Sequence, residues 1–361
     1  MQANGGIPAL PAGHRRRRRM FGQLPRWPVL LGAAGLVLAV TAALALVKLA
    51  GPGGATGAAG GEATPETSAS GAPGDRPAGS DGSGLTQGVG PQGAPAGPPG
   101  SGSTGPEVCP GFPQFPDESC TGWRHTGVTL RDCPNVITQN GATFDGCRFG
   151  PDLEIQAADV TITRSLVEGT VYATYLTDWS LGGLQMIDVE IDGGDRVVDG
   201  RSAAIGNDDY TCIRCHIHRS ERGANLGRNV HIEDSYLHDW FENPGAHQTA
   251  IGSNGGRNFT VVHNYLECMT PDGCSAALSL YEDFDSIDNV LIQNNLFNTN
   301  GSYCTYAGQN GTNIRYIDNI FGTKFYPRCG QYGAVTDFQP NQGNVWRGNR
   351  YPGGAEVAPG G

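Results

Sequence analysis

Val230-His231-Ile232-Glu233-Asp234-Ser235-Tyr236-Leu237, Phe259-Thr260-Val261-Val262-His263-Asn264-Tyr265-Leu266 and Val290-Leu291-Ile292-Gln293-Asn294-Asn295-Leu296-Phe297 are three copies of one pattern. Each has apolar residues at its first, third and eighth positions and Asn or a small residue at its sixth. Alternation across the first three positions puts every second side chain on one face of a strand. The break around the Asn marks a turn, because Asn tolerates the left-handed region and bonds its own backbone. An inward apolar residue then resumes the alternation.

Working outward, the pattern recurs at Val160, Ile162, Ser165 and Val167, at Leu184, Met186, Val189 and Ile191, and at Tyr210, Cys212, Cys215 and Ile217. It appears again at Ile314, Tyr316, Asn319 and Phe321, with weaker copies starting at Ala142 and Asn344. Successive copies begin 18 to 31 residues apart, a period that means stacked coils. The unit has no helical spacing, and its Gly and Asn oppose long helices. A sandwich would also show short alternating strands, but not an Asn column locked in phase. The pattern therefore predicts an all-β, single-stranded parallel β-helix over residues 107–354, with a disordered tail at 355–361.

The N-terminal third has a different character. Residues 1–28 carry Arg15 to Arg19 and Arg26 and no acid, and Val29 to Val47 are 19 residues without a charge. At 1.5 Å per residue that run makes roughly 28 Å of helix, about one hydrocarbon core. Residues 29–49 are read as a transmembrane signal anchor and the basic 1–28 as cytoplasmic, which puts the rest outside the cell. A cleaved signal peptide ending near Ala43-Leu44-Ala45 is the rival reading. Residues 51–106 are Gly, Pro, Ala, Ser and Thr with little to bury, so they read as a disordered linker spanning roughly 40 Å as a flexible coil.

Charge narrows the partners. The chain has 24 Lys+Arg and 35 Asp+Glu; seven of the basic residues and none of the acids lie in residues 1–50. The outer part, with a net −18, is a poor candidate for nucleic acid. A monomer with an extracellular polysaccharide as partner is the expectation. All ten cysteines lie at or beyond Cys109, and an even number in an oxidising compartment reads as disulfides. Proximity suggests Cys109 with Cys120, Cys268 with Cys274 and Cys304 with Cys329. Cys133 and Cys147, placed in one repeat column, form the fourth pair. Cys212 and Cys215 are left to each other or as buried thiols.

The repeat also aligns chemistry. Three positions past the Asn column stand Glu168, Asp192, His218, His238, Glu267 and Asn298; one past it stand Glu190, His216, Tyr236 and Tyr265. On strands ~4.8 Å apart these form an outward stripe. Carboxylate, imidazole and tyrosine in a groove suit proton transfer at a sugar carbon or a glycosidic oxygen. Against this, a solvated sheet face is polar anyway. Local density favours chemistry: between His216 and His247 lie His218, Arg219, Arg222, His231, His238, Asp239, Trp240 and Glu242. Trp240 would stack on a sugar or anchor its loop.

The repeat, over roughly residues 125–352, resembles that of secreted, pectate-lyase-like right-handed β-helix proteins of the kind common in actinobacteria. Ser235-Tyr236-Leu237-His238-Asp239, Gly245-Ala246-His247-Gln248-Thr249-Ala250-Ile251 and Gly255-Gly256 are similar to an H-D, H-x-D-G-I-Q, G-G run in many of them. Thr249 stands where those proteins carry Asp. The resemblance implies a right-handed coil and a carbohydrate-active enzyme. In a polysaccharide lyase of this type Arg219 and Arg222 would neutralise a uronate carboxylate and His238 or His247 would act as base. In a glycoside hydrolase Asp239 and Glu242 would be the acid pair. His216, His218, Tyr236, Trp240, Gln248, Asp192 and Glu267 would contact substrate. A non-catalytic glycan-binding protein is the third reading.

Two cofactor signals are weaker. Calcium could sit at Asp192-Gly193-Gly194-Asp195 or Glu282-Asp283-Phe284-Asp285, short acidic turns without a full ligand set. Cys212-Ile213-Arg214-Cys215-His216 spells the haem attachment signature, yet the repeat already accounts for it, with Cys212 inward and Cys215 in the Asn column. A zinc site from Cys212, Cys215 and His218 meets the objection that neighbours on a strand point in different directions.

Overall fold

The computed structural model describes residues 108–173, 182–198, 202–340 and 343–360. The expected anchor at 29–49 and linker at 51–106 lie outside the described residues. Within them the chain forms three parallel sheets of nine strands each, a parallel β-helix. The only helical element among the described residues is a 3-10 turn at Arg124–Thr126.

Each coil contributes one strand to each sheet. One coil, for example, runs through Tyr210–Ile213, His216–His218 and Arg222–Asn225. The next runs through Arg228–Glu233, Tyr236–Leu237 and Thr249–Ser253. The sheet containing His216–His218 is called the first, that containing Thr249–Ser253 the second, and that containing Arg228–Glu233 the third. Registers lock identical repeat positions: Cys212 pairs with Met186 and Ile232, and Ile217 with Ile191 and Leu237. The inward column Ile162, Met186, Cys212, Ile232, Val261, Ile292 and Tyr316 is fully buried. At ~25 cal/mol per Å² of apolar surface removed from water, burial of such inward columns stabilises the stack.

The turn between the third and first sheets works differently from the expectation that Asn itself adopts the left-handed conformation. That conformation belongs to the residue before the column: Arg164, Asp188, Arg214, Asp234, His263, Asn294 and Asp318 all have φ between 48° and 56°. The column residue turns inward instead. Asn264, Asn295, Asn319 and Asn349 stack as a buried ladder in which each Nδ2 donates to the next Oδ1 at 2.9–3.1 Å. Each also donates back to a carbonyl of the preceding coil, Asn295 to Val261 O at 2.8 Å. Asn suits the position because one amide both donates and accepts there; Ser235 and Ser165 extend the ladder by accepting the N–H of Cys215 and of Cys147.

All ten cysteines are paired: Cys109–Cys120, Cys133–Cys147, Cys212–Cys215, Cys268–Cys274 and Cys304–Cys329. The expected pairs form, but Cys133 and Cys147 do not share a column. Arg131 is the register partner of Cys147, so the bond runs diagonally across two strands. The Cys212–Cys215 bond commits both sulfurs, which removes the thiols that a haem or a Cys-ligated zinc would require.

The C-terminal end of the coil stack is covered, and one side of it as well. At the C-terminal end Trp346 packs on Tyr316, Phe321 and Phe338, and its indole N–H donates to Val357 O at 2.7 Å. Glu356 bridges Arg350, and Val357 is buried, so ordered packing runs past residue 354. The N-terminal segment 109–126 lies against the side of the helix. Gly122 N–H donates to Arg214 O at 2.8 Å, and the His263 ring bonds Gln114 O at 2.9 Å and stacks on Phe115.

Candidate functional site

Two outer faces carry chemistry. On the first sheet the expected stripe forms in register: Glu190 pairs with His216, His216 with Tyr236 and Tyr236 with Tyr265, while Asp192 pairs with Glu168 and His218. The rings stack along the sheet axis. Tyr236 lies 3.9 Å from His238 and 5.0 Å from Tyr265, and His216 lies 4.5 Å from His218 and 5.0 Å from His238.

This cluster is packed rather than open. Glu190 is 1% exposed and His216 7%, because the N-terminal segment roofs them. A Cβ on Gly122 would come within 3.0 Å of His216 Cβ and 3.3 Å of Glu190 Cβ, so only glycine fits this approach. Burial, then the neighbouring His218 and His238, pushes His216 down to about 3. Burial also lowers His238, against the pull of Asp239. For Glu190 burial works upward, but hydrogen bonds from His218 and Arg124 outweigh it and hold the carboxyl at about 2. Tyr236 and Tyr265 are pushed up, first by burial.

The contacts are specific. His216 Nε2 meets His238 Nε2 at 2.7 Å, and His238 Nδ1 faces Asp239 at 3.0 Å. His218 Nε2 meets Glu190 Oε1 at 3.2 Å, and Arg124 donates to the same oxygen at 3.1 Å. Farther along, Lys324 Nζ donates to both oxygens of Glu267 at 2.7 and 2.8 Å, and the Tyr265 hydroxyl donates to Glu267 as well.

The second face is a groove of about 820 Å³ over the second sheet. Loops entering and leaving that sheet's strands wall it. Arg222, His247, Tyr281, Phe284, Asp285 and Tyr306 are among its lining residues. Tyr281 and Tyr306 have ring centroids 4.9 Å apart, and Phe284 is 86% exposed. Arg222 lines the groove, and its Nε is buried with no hydrogen-bond partner. Thr249 lies on the groove floor, its hydroxyl donating to Ile251 O at 2.9 Å. The Cys268–Cys274 bond closes the short loop that brings Gly273 and Ser275 to the rim.

The residues expected to act together are thus divided. His238 and Asp239 belong to the packed cluster, Arg222 and His247 to the groove. Arg219 is committed to Asp192 at 3.0 Å and Asp195 at 2.8 Å, so one guanidinium holds both carboxylates of that acidic turn. Trp240 is buried at 6% exposure, and its indole N–H donates to Glu267 O at 2.7 Å; it anchors the loop rather than offering a ring face. Gln248 is likewise buried, donating to Glu221 O and Phe241 O. Asp239 pairs with His238, whereas Glu242, half-buried, meets Asp272: desolvation and then this hydrogen bond raise its carboxyl. In the other acidic turn Glu282 accepts from the backbone and side chain of Asn310, while Asp283 and Asp285 face the groove.

Sequence reasoning missed Arg124, Lys324 and the aromatic wall of Tyr281, Phe284 and Tyr306. Arg124 precedes the first copy of the repeat and Lys324 lies in a connection between copies, outside the aligned columns; the last sits in loops after second-sheet strands, where no periodic signal reaches. No protein-family model, curated protein or solved structure matches the chain.

Proposed function

We propose that this protein binds an extracellular acidic polysaccharide in the groove over its second sheet and cleaves it by β-elimination, as a lyase tethered to the cell surface through residues 29–49. The observation that carries the reading is the sharing of one groove by Arg222, His247 and the rings of Tyr281 and Tyr306. The rings seat sugar faces. Arg222, a lining residue, brings a permanent guanidinium charge to a uronate carboxylate. His247 takes the proton α to that carboxylate; the C–H electron pair becomes the new double bond, and the glycosidic oxygen leaves with a proton from solvent. Asp283 and Asp285 at the rim are the carboxylates through which Ca²⁺ would bridge to the polymer.

The test is to incubate the full chain with uronate-containing and neutral polysaccharides, with and without Ca²⁺, recording unsaturated-uronate absorbance and new reducing ends. Absorbance and reducing ends rising together, and both lost in His247→Ala, is the expected result. Reducing ends alone would replace elimination by hydrolysis. Silence on both channels, with polymer still retained, would leave a binding protein.

A further inference from the structure

We infer that Glu190, His216 and His218, on the outer face of the first sheet, form a site for a first-row divalent transition metal, for which Zn²⁺ is the probe. One ligand atom from each residue lies within 4.8 Å of the other two. A tetrahedral ion with bonds of ~2.0–2.1 Å holds its ligand atoms ~3.3 Å apart, so the donors need only small side-chain movements to close on it. Imidazole with carboxylate is a donor set for Zn²⁺ rather than for the all-oxygen coordination of Ca²⁺.

Glu190 is ionised and buried, with Arg124 Nε 2.9 Å from its Oε2, so a bound metal would share the carboxylate with this guanidinium. A further observation points to a ligand: the order of hydrogen bonds behind His216. Asp239 faces His238 Nδ1, which therefore carries the proton, and His238 Nε2 is left to accept from His216 Nε2–H at 2.7 Å. A neutral His216 then has its lone pair on Nδ1. Nδ1 lies on the side where Gly122 approaches both His216 and Glu190. The Asp239–His238–His216 chain is the outer-shell arrangement that sets the tautomer and orientation of a metal-bound imidazole. His238 and Asp239 are accordingly positioning residues. His218, with its side chain 13% exposed, stands at the partly open edge of the cluster. The site is independent of the reading of the groove.

The experiment titrates Zn²⁺ into the full chain, prepared without a polyhistidine tag, against a chromophoric chelator, and follows Co²⁺ absorption for the geometry. One Zn²⁺ per chain is expected, with affinity falling at least ~10-fold in His218→Ala and Glu190→Gln and about 10-fold in Asp239→Asn. His231→Ala, a histidine of the third sheet paired with Glu233, should leave binding unchanged. Far-UV dichroism and melting of each variant verify folding. No stoichiometric binding of Zn²⁺ or Co²⁺ by the parent chain would overturn the inference. So would binding unchanged in folded His218→Ala and Glu190→Gln, or lost equally in His231→Ala.

Discussion

The imidazole cluster on the first sheet and the groove over the second are both outer faces of one β-helix, yet they have opposite characters. On the first sheet, stacked strands bring Glu190, His216, Tyr236 and Tyr265 into one line, and the rings fill the space with each other. The N-terminal segment then closes over them. On the second sheet the side chains on the floor are small, among them Thr249, Gly252 and Ser253, and the flanking loops rise around an open volume. The first face packs its polar groups against one another and shifts their protonation by burial. The second keeps a donor on Arg222 unpaired and has room for a ligand. A dense run of ionisable residues therefore marks where side chains meet, while open volume arises where neighbours are missing.

The sharpest way to break this contrast is to exchange the consequences of two histidines. His247→Ala should lower polysaccharide turnover by roughly 10²–10⁴-fold, the scale of a lost general base, and leave Zn²⁺ binding intact; His218→Ala should do the reverse. Steady-state rates and metal titration on both variants decide it, and turnover lost in His218→Ala instead would place the chemistry on the first sheet.

The scaffold common to both faces comes next. Asn295→Ala strips acceptors from Asn264 and leaves Val261 O without its donor. The expected destabilisation is about 2–4 kcal/mol from buried groups left unpaired, read from denaturant midpoints. A smaller effect belongs to the aromatic wall: Tyr306→Ala should weaken polymer binding by about 1 kcal/mol in affinity electrophoresis, without altering the melting temperature. If the packed cluster bound the sugar, Tyr306→Ala would change nothing.

The smallest effect is a pH dependence confined to the roof. The hydrogen bond to Asp234, against burial and with help from Gln114 O, raises His263 above its ordinary value of 6.5. Its protonated form is therefore the one that the fold favours. That contribution is complete below about 6.5 and is lost as pH rises through the raised value. Amide protection over residues 109–126, corrected for intrinsic exchange, should be higher at pH 5.5 than at pH 8.5, and amides of the groove floor should not follow. His263→Gln should abolish the difference.

The sequence by itself determined the coil. An alternating pair of apolar positions, a fixed turn and an inward residue recurring from Ala142 to Asn349 specify which side chains enter the core. They also set the register that brings His216 beside Tyr236, since side-chain direction on a strand follows from alternation alone. Two of the three sheets were legible in this way. The second was not, because the connections into it vary in length and its strands carry no shared motif: Val171–Ala173 and Thr249–Ser253 have little in common. Only the tertiary structure decided that His238 and His247, nine positions apart, turn to different faces, and that Trp240 points into the core. It alone brought Arg124 across to Glu190, 66 residues away, and Lys324 to Glu267, 57 away. Contacts of that range depend on how coils stack and where loops fold back, and no local periodicity records either.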